Sequence, residues 1–420
     1  MTAVLYLLGL LLLAYLGSSL LGGGAGQRFG LPSSVEYVVL GFLLGPVLGL
    51  VDRDTMAVFD PLTQLAVGWL ALVVGLDCGY VNGERVRGSS VVLSLGAGLV
   101  TGAVITTAVG LVLLVIAPDL GPAVRWTLAV AVAVACTETT PHAVQWVLGG
   151  EAQPSRIGKI LSEVADVDAI APVLATALVF ALTPTSGDGE AARRTALGVG
   201  LGIGLGVATG LLTSALLGRE FRLDESWRML LGTALLTIGL AVQTHISPLA
   251  PMFLMGVTLS VTSRHRNEIV AMVTPTERAV LLPALLVAGV RLDLTSHPAV
   301  ALIALGAVVA RLLGRLLGGL AVRSVIGPAS APPWIGLGMA STGPLAMSIG
   351  LAFDLRFAGL VGDAVLASAA AVTLVGEFVG PPALRAALAR PAEPREPPPT
   401  TTRSSGAHPA AASDTPEGGS

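Results

Sequence analysis

The strongest constraint on this chain is a succession of apolar stretches, each about 20 residues long, that runs with few pauses to about residue 386. A helix needs roughly that length of predominantly apolar sequence to cross the hydrocarbon core of a bilayer. Thirteen candidates are legible, near 2–20, 33–51, 58–78, 89–116, 123–148, 156–182, 195–217, 227–245, 247–262, 275–290, 298–321, 331–353 and 359–386. The ninth is short. The runs are too long and continuous for the alternating segments of about 10 residues in a membrane barrel. Only 12% of the 420 residues are charged and 53% are hydrophobic, so lipid must be the main solvent. The 52 glycines suit helices that pack closely in a membrane. The first stretch has no basic leader and no small-residue cleavage site, and reads as a retained helix.

Several functions are argued against by what the chain lacks. No basic stripe points to nucleic acid. No nucleophile–base pair, phosphate loop or metal-ligand spacing points to an enzyme, and no cofactor is expected. The run GVGLGIGLGVATG (198–210) lacks the spacing of a dinucleotide loop and reads as a packing face. Cys78 and Cys136 lie in apolar runs and read as small buried hydrophobes.

Loops alternate in positive charge. One set carries Arg28, Arg85, Arg87, Arg156, Lys159, Arg219, Arg222, Arg264, Arg266, Arg323 and Arg385; the other carries Arg53, Arg125, Arg193, Arg194, Arg291 and Arg356. The richer set is expected in the cytoplasm of a multi-pass cell-membrane protein. That places the N-terminus outside and the C-terminus inside. Residues 391–420 are rich in Pro, Ser and Thr without an apolar run, and are expected to be a disordered cytoplasmic tail. Faint echoes, ALVVGLDCG (71–79) with LLVAGVRLD (285–293) and TTP (139–141) with TGP (342–344), are offset by a little over 200 residues. They suggest repeat 1 over about 1–182, a linker helix at 195–217 and repeat 2 over about 227–386, in opposite orientations, within a membrane domain of residues 1–390.

Polar residues inside apolar spans are costly and invite a functional reading. In the sixth span Glu163, Asp166 and Asp168 lie in SEVADVDAI. Asp166 and Asp168 stand about 200° apart on a regular helix, so one of them must face away from a shared ion. Glu163 reads as hydrated near the boundary, and for Asp168 a structural pair with a basic residue stays open as the plainer reading. In the fifth span Pro141 frees the carbonyl of Thr137. The hydroxyls of Thr137, Thr139 and Thr140 and the carboxyl of Glu138 add oxygen ligands of the kind a partly dehydrated Na⁺ or K⁺ needs. A proline kink satisfied by the threonines stays open as the plainer reading. His142 reads as a core histidine more readily than as a pH switch. In the eleventh span Arg311 is expected to pair with an acid or a freed carbonyl, and Arg315 to snorkel toward the boundary. Gly343 and Pro344 make a second break in the twelfth span, and Glu377 in the thirteenth reads as structural or gating.

At these residues the chain resembles the monovalent cation:proton antiporter-2 family, the Kef- and NapA-like transporters. LGFLLGPVLGL, GWLALVVGLDCGY, LLPALLVAGVRLDL, TTPHAVQWVL, EVADVDAI and ARLLG carry the resemblance, from about residue 33 to 386. It implies an all-α polytopic membrane protein of about 13 transmembrane helices. The fold would be NhaA-like, with inverted repeats, crossed discontinuous helices, a mobile core domain and a dimerisation domain, hence a homodimer. It implies exchange of a monovalent cation for protons. Asp168 would be the transient metal ligand, joined by Thr137, Thr139, Thr140, Glu138 or Asp166, with Arg311 balancing charge. Val167 stands where relatives commonly carry Asn or Asp, which points to electroneutral exchange. Gly343 and Pro344 stand where many relatives carry Gly-Glu. A sodium-coupled organic anion symporter and a non-transporting scaffold or sensor remain alternatives.

Overall fold

The computed structural model describes residues 35–81, 84–149, 156–183, 191–218, 223–294, 297–327 and 332–388, with Gly9. The first predicted span, 2–20, and the expected tail, 391–420, lie outside the described residues. Each remaining predicted span is helical. α1 (Val35–Phe42) runs into a π-helical turn at Leu43–Val47, followed by α2 (Arg53–Ala57), α3 (Asp60–Asp77) and α4 (Gly88–Ile116). Next come α5 (Pro122–Cys136), α6 (Pro141–Leu148), α7 (Arg156–Val167), α8 (Ile170–Leu182), α9 (Ala191–Leu217) and α10 (Leu223–Gln243). The rest are α11 (Leu249–Thr262), α12 (Arg266–Arg291), α13 (Pro298–Ile326), a 3-10 segment at Ile335–Met339, α14 (Pro344–Arg356) and α15 (Leu360–Leu388). A two-residue hairpin, β1 (Tyr80–Val81) and β2 (Glu84–Arg85), joins α3 to α4.

Six helical segments among the described residues are long and apolar enough to cross a membrane: α4, α7 with α8, most of α9, α12, α13 and α15. Three of the predicted spans are interrupted by breaks. The fifth is split between α5 and α6, and the twelfth between the 3-10 segment and α14. The sixth bends at Asp168–Ala169. Pro172 explains that bend, because it has no N–H for the carbonyl of Asp168 four residues earlier. The exposed faces of α4 and α13 carry Leu99, Val115, Leu305 and Leu313, while the interior holds Glu138, Asp168, Arg311 and Arg315. This apolar-outside arrangement is what a lipid solvent requires.

The helices fall into two bundles. In one, α13 packs along α4, α15 lies against α13 and α14, and α5 lies against α4 and α15. In the other, α3 packs on α11 and α12, α12 on α1, and α9 on α10 and α11. The bundles meet chiefly where α14 touches α3 and where α8 touches α9. Two glycine contacts set the second bundle. A methyl group on Gly289 would come within 2.9 Å of the Gly41 Cα, and one on Gly256 within 2.9 Å of the Gly75 carbonyl carbon. These helices touch backbone to backbone, the contact that only small residues allow.

Gly256→Leu is therefore expected to push α11 off α3 and cost about 1–3 kcal/mol. The thermal unfolding midpoint of the purified protein in detergent should fall. An unchanged midpoint would contradict this packing.

Candidate functional site

Two helix breaks cross at the centre of the first bundle. Each ends in a residue before proline, a position biased toward extended backbone: Thr140 (φ −78°, ψ 129°) before Pro141 and Gly343 (φ −106°, ψ −171°) before Pro344. Both prolines then open a helix at a position where the missing N–H costs nothing. The extended strands touch through Thr140 N–H, which donates to the Ser341 carbonyl at 3.2 Å. The Thr139 hydroxyl donates to the Met339 carbonyl at 3.0 Å. Glu138 caps the second break, with its carboxylate accepting from Gly343 N–H at 2.9 Å. A methyl group on Gly343 would lie 2.8 Å from that carboxylate, so glycine is what lets the breaks meet.

Arg311 holds the crossing together. Its guanidinium is 1% exposed and donates to the carbonyls of Cys136, Glu138 (2.7 Å), Ala340 (3.0 Å) and Ser341 (3.4 Å). These come from both breaks. The expectation that Arg311 meets a freed carbonyl is met several times over.

Arg315, one turn along α13, corrects the reading that it snorkels. It is 2% exposed, and its Nη2 donates to the Thr137 carbonyl and to Asp168 Oδ2 at 2.7 Å. Asp168 Oδ1 accepts from the Ser94 hydroxyl of α4 at 3.2 Å. Nε and Nη1 of Arg315 are buried without a hydrogen-bond partner among the described residues. One nitrogen of Arg315 thus stands between the carbonyl freed by Pro141 and the carboxylate of Asp168.

The other predicted residues are spread around this centre. Thr137 and Asp168 meet at Arg315. The Thr139 hydroxyl donates to the Met339 carbonyl, which leaves its oxygen lone pairs free, and Thr140 lines the cavity between the bundles. Asp166 turns away from Asp168, as the helical geometry required of one of them: its Oδ2 accepts from Gly79 N–H at 2.7 Å, in a turn where Gly79 has φ +87°. Glu163 is buried rather than hydrated, accepting from the Ser90 hydroxyl at 2.5 Å. His142 is no core histidine. Its side chain is 54% exposed, with Nε2 3.8 Å from Glu277.

The cavity holds about 240 Å³ between the two bundles, lined by Thr140, His142, Glu277, Thr342, Thr373 and Glu377 among others. At the far ends of α14 and α15 the bundles are joined by ion pairs that sequence reasoning missed. Asp354 accepts from Arg53 and, at 2.5 Å, from Arg291, which also pairs with Asp60 at 2.7 Å. Arg53 reaches Asp363 at 2.6 Å. The signal was present as acidic residues at span ends facing loop arginines.

Two half-broken helices crossed in the membrane around buried charge define an ion-coupled secondary transporter. The family description "sodium/hydrogen exchanger, transmembrane" matches residues 12–390, so the chain belongs to that family and is a membrane cation:proton antiporter. The match does not separate the Kef- and NapA-like branch from the rest. No curated protein matches significantly. The fold is similar to that of the sodium proton antiporter MjNhaP1 from Methanocaldococcus jannaschii at pH 8, with TM-score 0.68, 15% identity and coverage of 93% of this chain and 99% of that one. An electron-microscopy map structure of the same antiporter gives TM-score 0.59 and 15% identity, covering 92% and 94%.

Arg311→Ala would leave carbonyls of both breaks unpaired, at about 1–3 kcal/mol for each one that finds no water. The unfolding midpoint should drop sharply, and Arg311→Lys should recover only part, since an ammonium cannot span the forked set. A variant as stable as the parent would show that the crossing does not depend on Arg311.

Proposed function

We propose that Asp168 is the carboxylate shared in turn by a proton and by Na⁺ or K⁺, and that Arg315 covers it when neither is bound. The observation that carries this reading is the position of Arg315 Nη2, between the Thr137 carbonyl and Asp168 Oδ2. Those oxygens, with the Ser94 hydroxyl, are ligands an alkali cation accepts. Arginine keeps its proton, so the exchanged proton is assigned to the Asp168 carboxylate. The two idle donors of Arg315 make its hold on the carboxylate an incomplete one. The charge of the site is the same with a bound proton as with a bound monovalent cation, which makes exchange one for one and electroneutral.

Alternating access follows from the two bundles. The cavity lies by Pro344 and Met347, and the ion pairs at Asp354, about 15 Å away along α14 at 1.5 Å per residue. One end of the seam is open while the other is latched. Rocking of the α4–α5–α13–α14–α15 bundle against α1, α3, α11 and α12 would exchange the two. The second bundle is the natural place for a homodimer contact.

The inverted-repeat plan of thirteen spans is supported by pairing. α1 packs on α12 through Gly41 and Gly289, and α11 packs on α3 through Gly256 and Gly75. The echo that relates 71–79 to 285–293 carries Gly75 onto Gly289. Orientation in the cell membrane, with the N-terminus outside, is supported by where the basic residues meet. Lys159 reaches Glu84 at 3.1 Å, Arg266 lies over Tyr80 at 4.0 Å and Arg385 over Trp146 at 4.3 Å, all from the richer set. Arg53 and Arg291, from the poorer set, share Asp354.

In proteoliposomes holding a proton gradient, Asp168→Asn should lose cation-driven dissipation by at least about 100-fold, the general scale for removing an essential proton-carrying group. Wild-type exchange should not respond to an imposed membrane potential. Full activity in Asp168→Asn would place the ion elsewhere, and a potential-driven rate would rule out one-for-one exchange.

A further inference from the structure

The cavity between the bundles does not touch Asp168, yet one wall of it carries an acid that the exchange reaction as described does not use. Glu377 of α15 is 6% exposed, lines the cavity, and its Oε2 has no hydrogen-bond partner among the described residues. Three hydroxyls share that wall: Thr140 from the first break, Thr342 from the second, and Thr373 one turn before Glu377. Thr342 and Thr373 are already hydrogen-bonded to each other at 2.8 Å, which fixes two oxygens beside the carboxylate. His142, Glu277 and Arg278 complete the charged lining. The set is a carboxylate and neutral oxygens in a space large enough for a partly hydrated alkali ion. An unpaired carboxylate buried in this way is expensive unless a cation or a proton joins it.

The sequence places Glu377 in a revealing register. It stands four residues before Pro381, as Asp168 stands four before Pro172. Each proline lies in the last span of its repeat, and each removes the N–H that the acid's own backbone carbonyl would accept. Glu377 therefore occupies in the second repeat the place that Asp168 occupies in the first. The surroundings differ. Asp168 faces Arg315, whereas Glu377 faces the cavity.

We propose that Glu377, with Thr140, Thr342 and Thr373, forms a second monovalent-cation site, which loads from the cavity before the ion reaches Asp168. The loading step rests on the exchange reading above; the binding site stands without it.

Two measurements test this. In the first, the purified full-length protein is treated with dicyclohexylcarbodiimide, which modifies protonated carboxyls in apolar surroundings, in NaCl, KCl or choline chloride at equal ionic strength. Labelling is read by mass spectrometry. Glu377 should be labelled, more slowly in the alkali salt that binds than in choline, and this protection should persist in Asp168→Asn. Absence of labelling at Glu377, or equal rates in all three salts, would overturn the site. In the second, Glu377→Gln should raise the half-saturating cation concentration for exchange about tenfold, the scale of one lost charged ligand. Glu377→Asp should restore most of the affinity. An unchanged half-saturation in Glu377→Gln would also overturn it. Loss of exchange in Asp168→Asn with Glu377 still protected keeps both ideas. Full exchange in Asp168→Asn with Glu377 protected removes only the role of Asp168.

Discussion

Backbone carbonyls cannot be left bare in lipid, and this chain breaks two helices in the middle of its membrane domain. Arg311 is what makes that possible. Its planar fork reaches the carbonyls of Cys136, Glu138, Ala340 and Ser341, which are the ends that the breaks expose. A positive charge also suits the negative ends of the helices that stop there. Glu138 serves the opposite end, where Gly343 N–H opens α14. Charge at the crossing is therefore first a solution to hydrogen bonding, and the ion chemistry is built upon it.

On the proposed reading Arg315 turns that scaffold toward transport. An isolated carboxylate at Asp168 would be very costly at 3% exposure. A full set of hydrogen bonds from a neighbouring arginine would satisfy it too well to exchange. Arg315 spends one nitrogen on Thr137 and Asp168 and leaves two donors without partners. In the proposed exchange the pair is held strongly enough to bury and incompletely enough to yield to a competing cation. The proposed rocking would use the bundles: a cavity beside Pro344 and ion pairs at Asp354 lie at opposite ends of the same helix.

Much of this was legible in the sequence, because a bilayer leaves a chain few choices. Apolar length located the spans, and Pro141 and Pro344 located both breaks. Asp166 and Asp168 were not expected to share one ion, and their carboxylates meet different partners, Gly79 N–H and Arg315. The misreadings share one cause. Which polar residues meet depends on how helices rotate against each other, and apolar faces rich in glycine and alanine carry little rotational information. Hence Arg315 read as a boundary residue although it sits one turn from Arg311, and Glu163 read as hydrated although Ser90 of α4 bonds it. The Thr139 hydroxyl donates to the Met339 carbonyl, a contact 200 residues away in the chain that no local pattern marks. The ion pairs of Asp354 join loops and helix ends distant in the chain; acidic residues at span ends marked candidates, but nothing local said which arginine each would meet.

Exchange at Asp168 requires that a cation displace Arg315 from its carboxylate. Infrared difference spectra of the protein in lipid, taken on adding Na⁺ or K⁺ and compared with Asp168→Asn for assignment, observe that carboxylate directly. A cation-induced shift of the Asp168 carboxylate band, together with a change in the guanidinium band of Arg315, is the predicted result. Bands that stay fixed at saturating cation, while exchange proceeds in the same preparation, would show that the ion travels by another route.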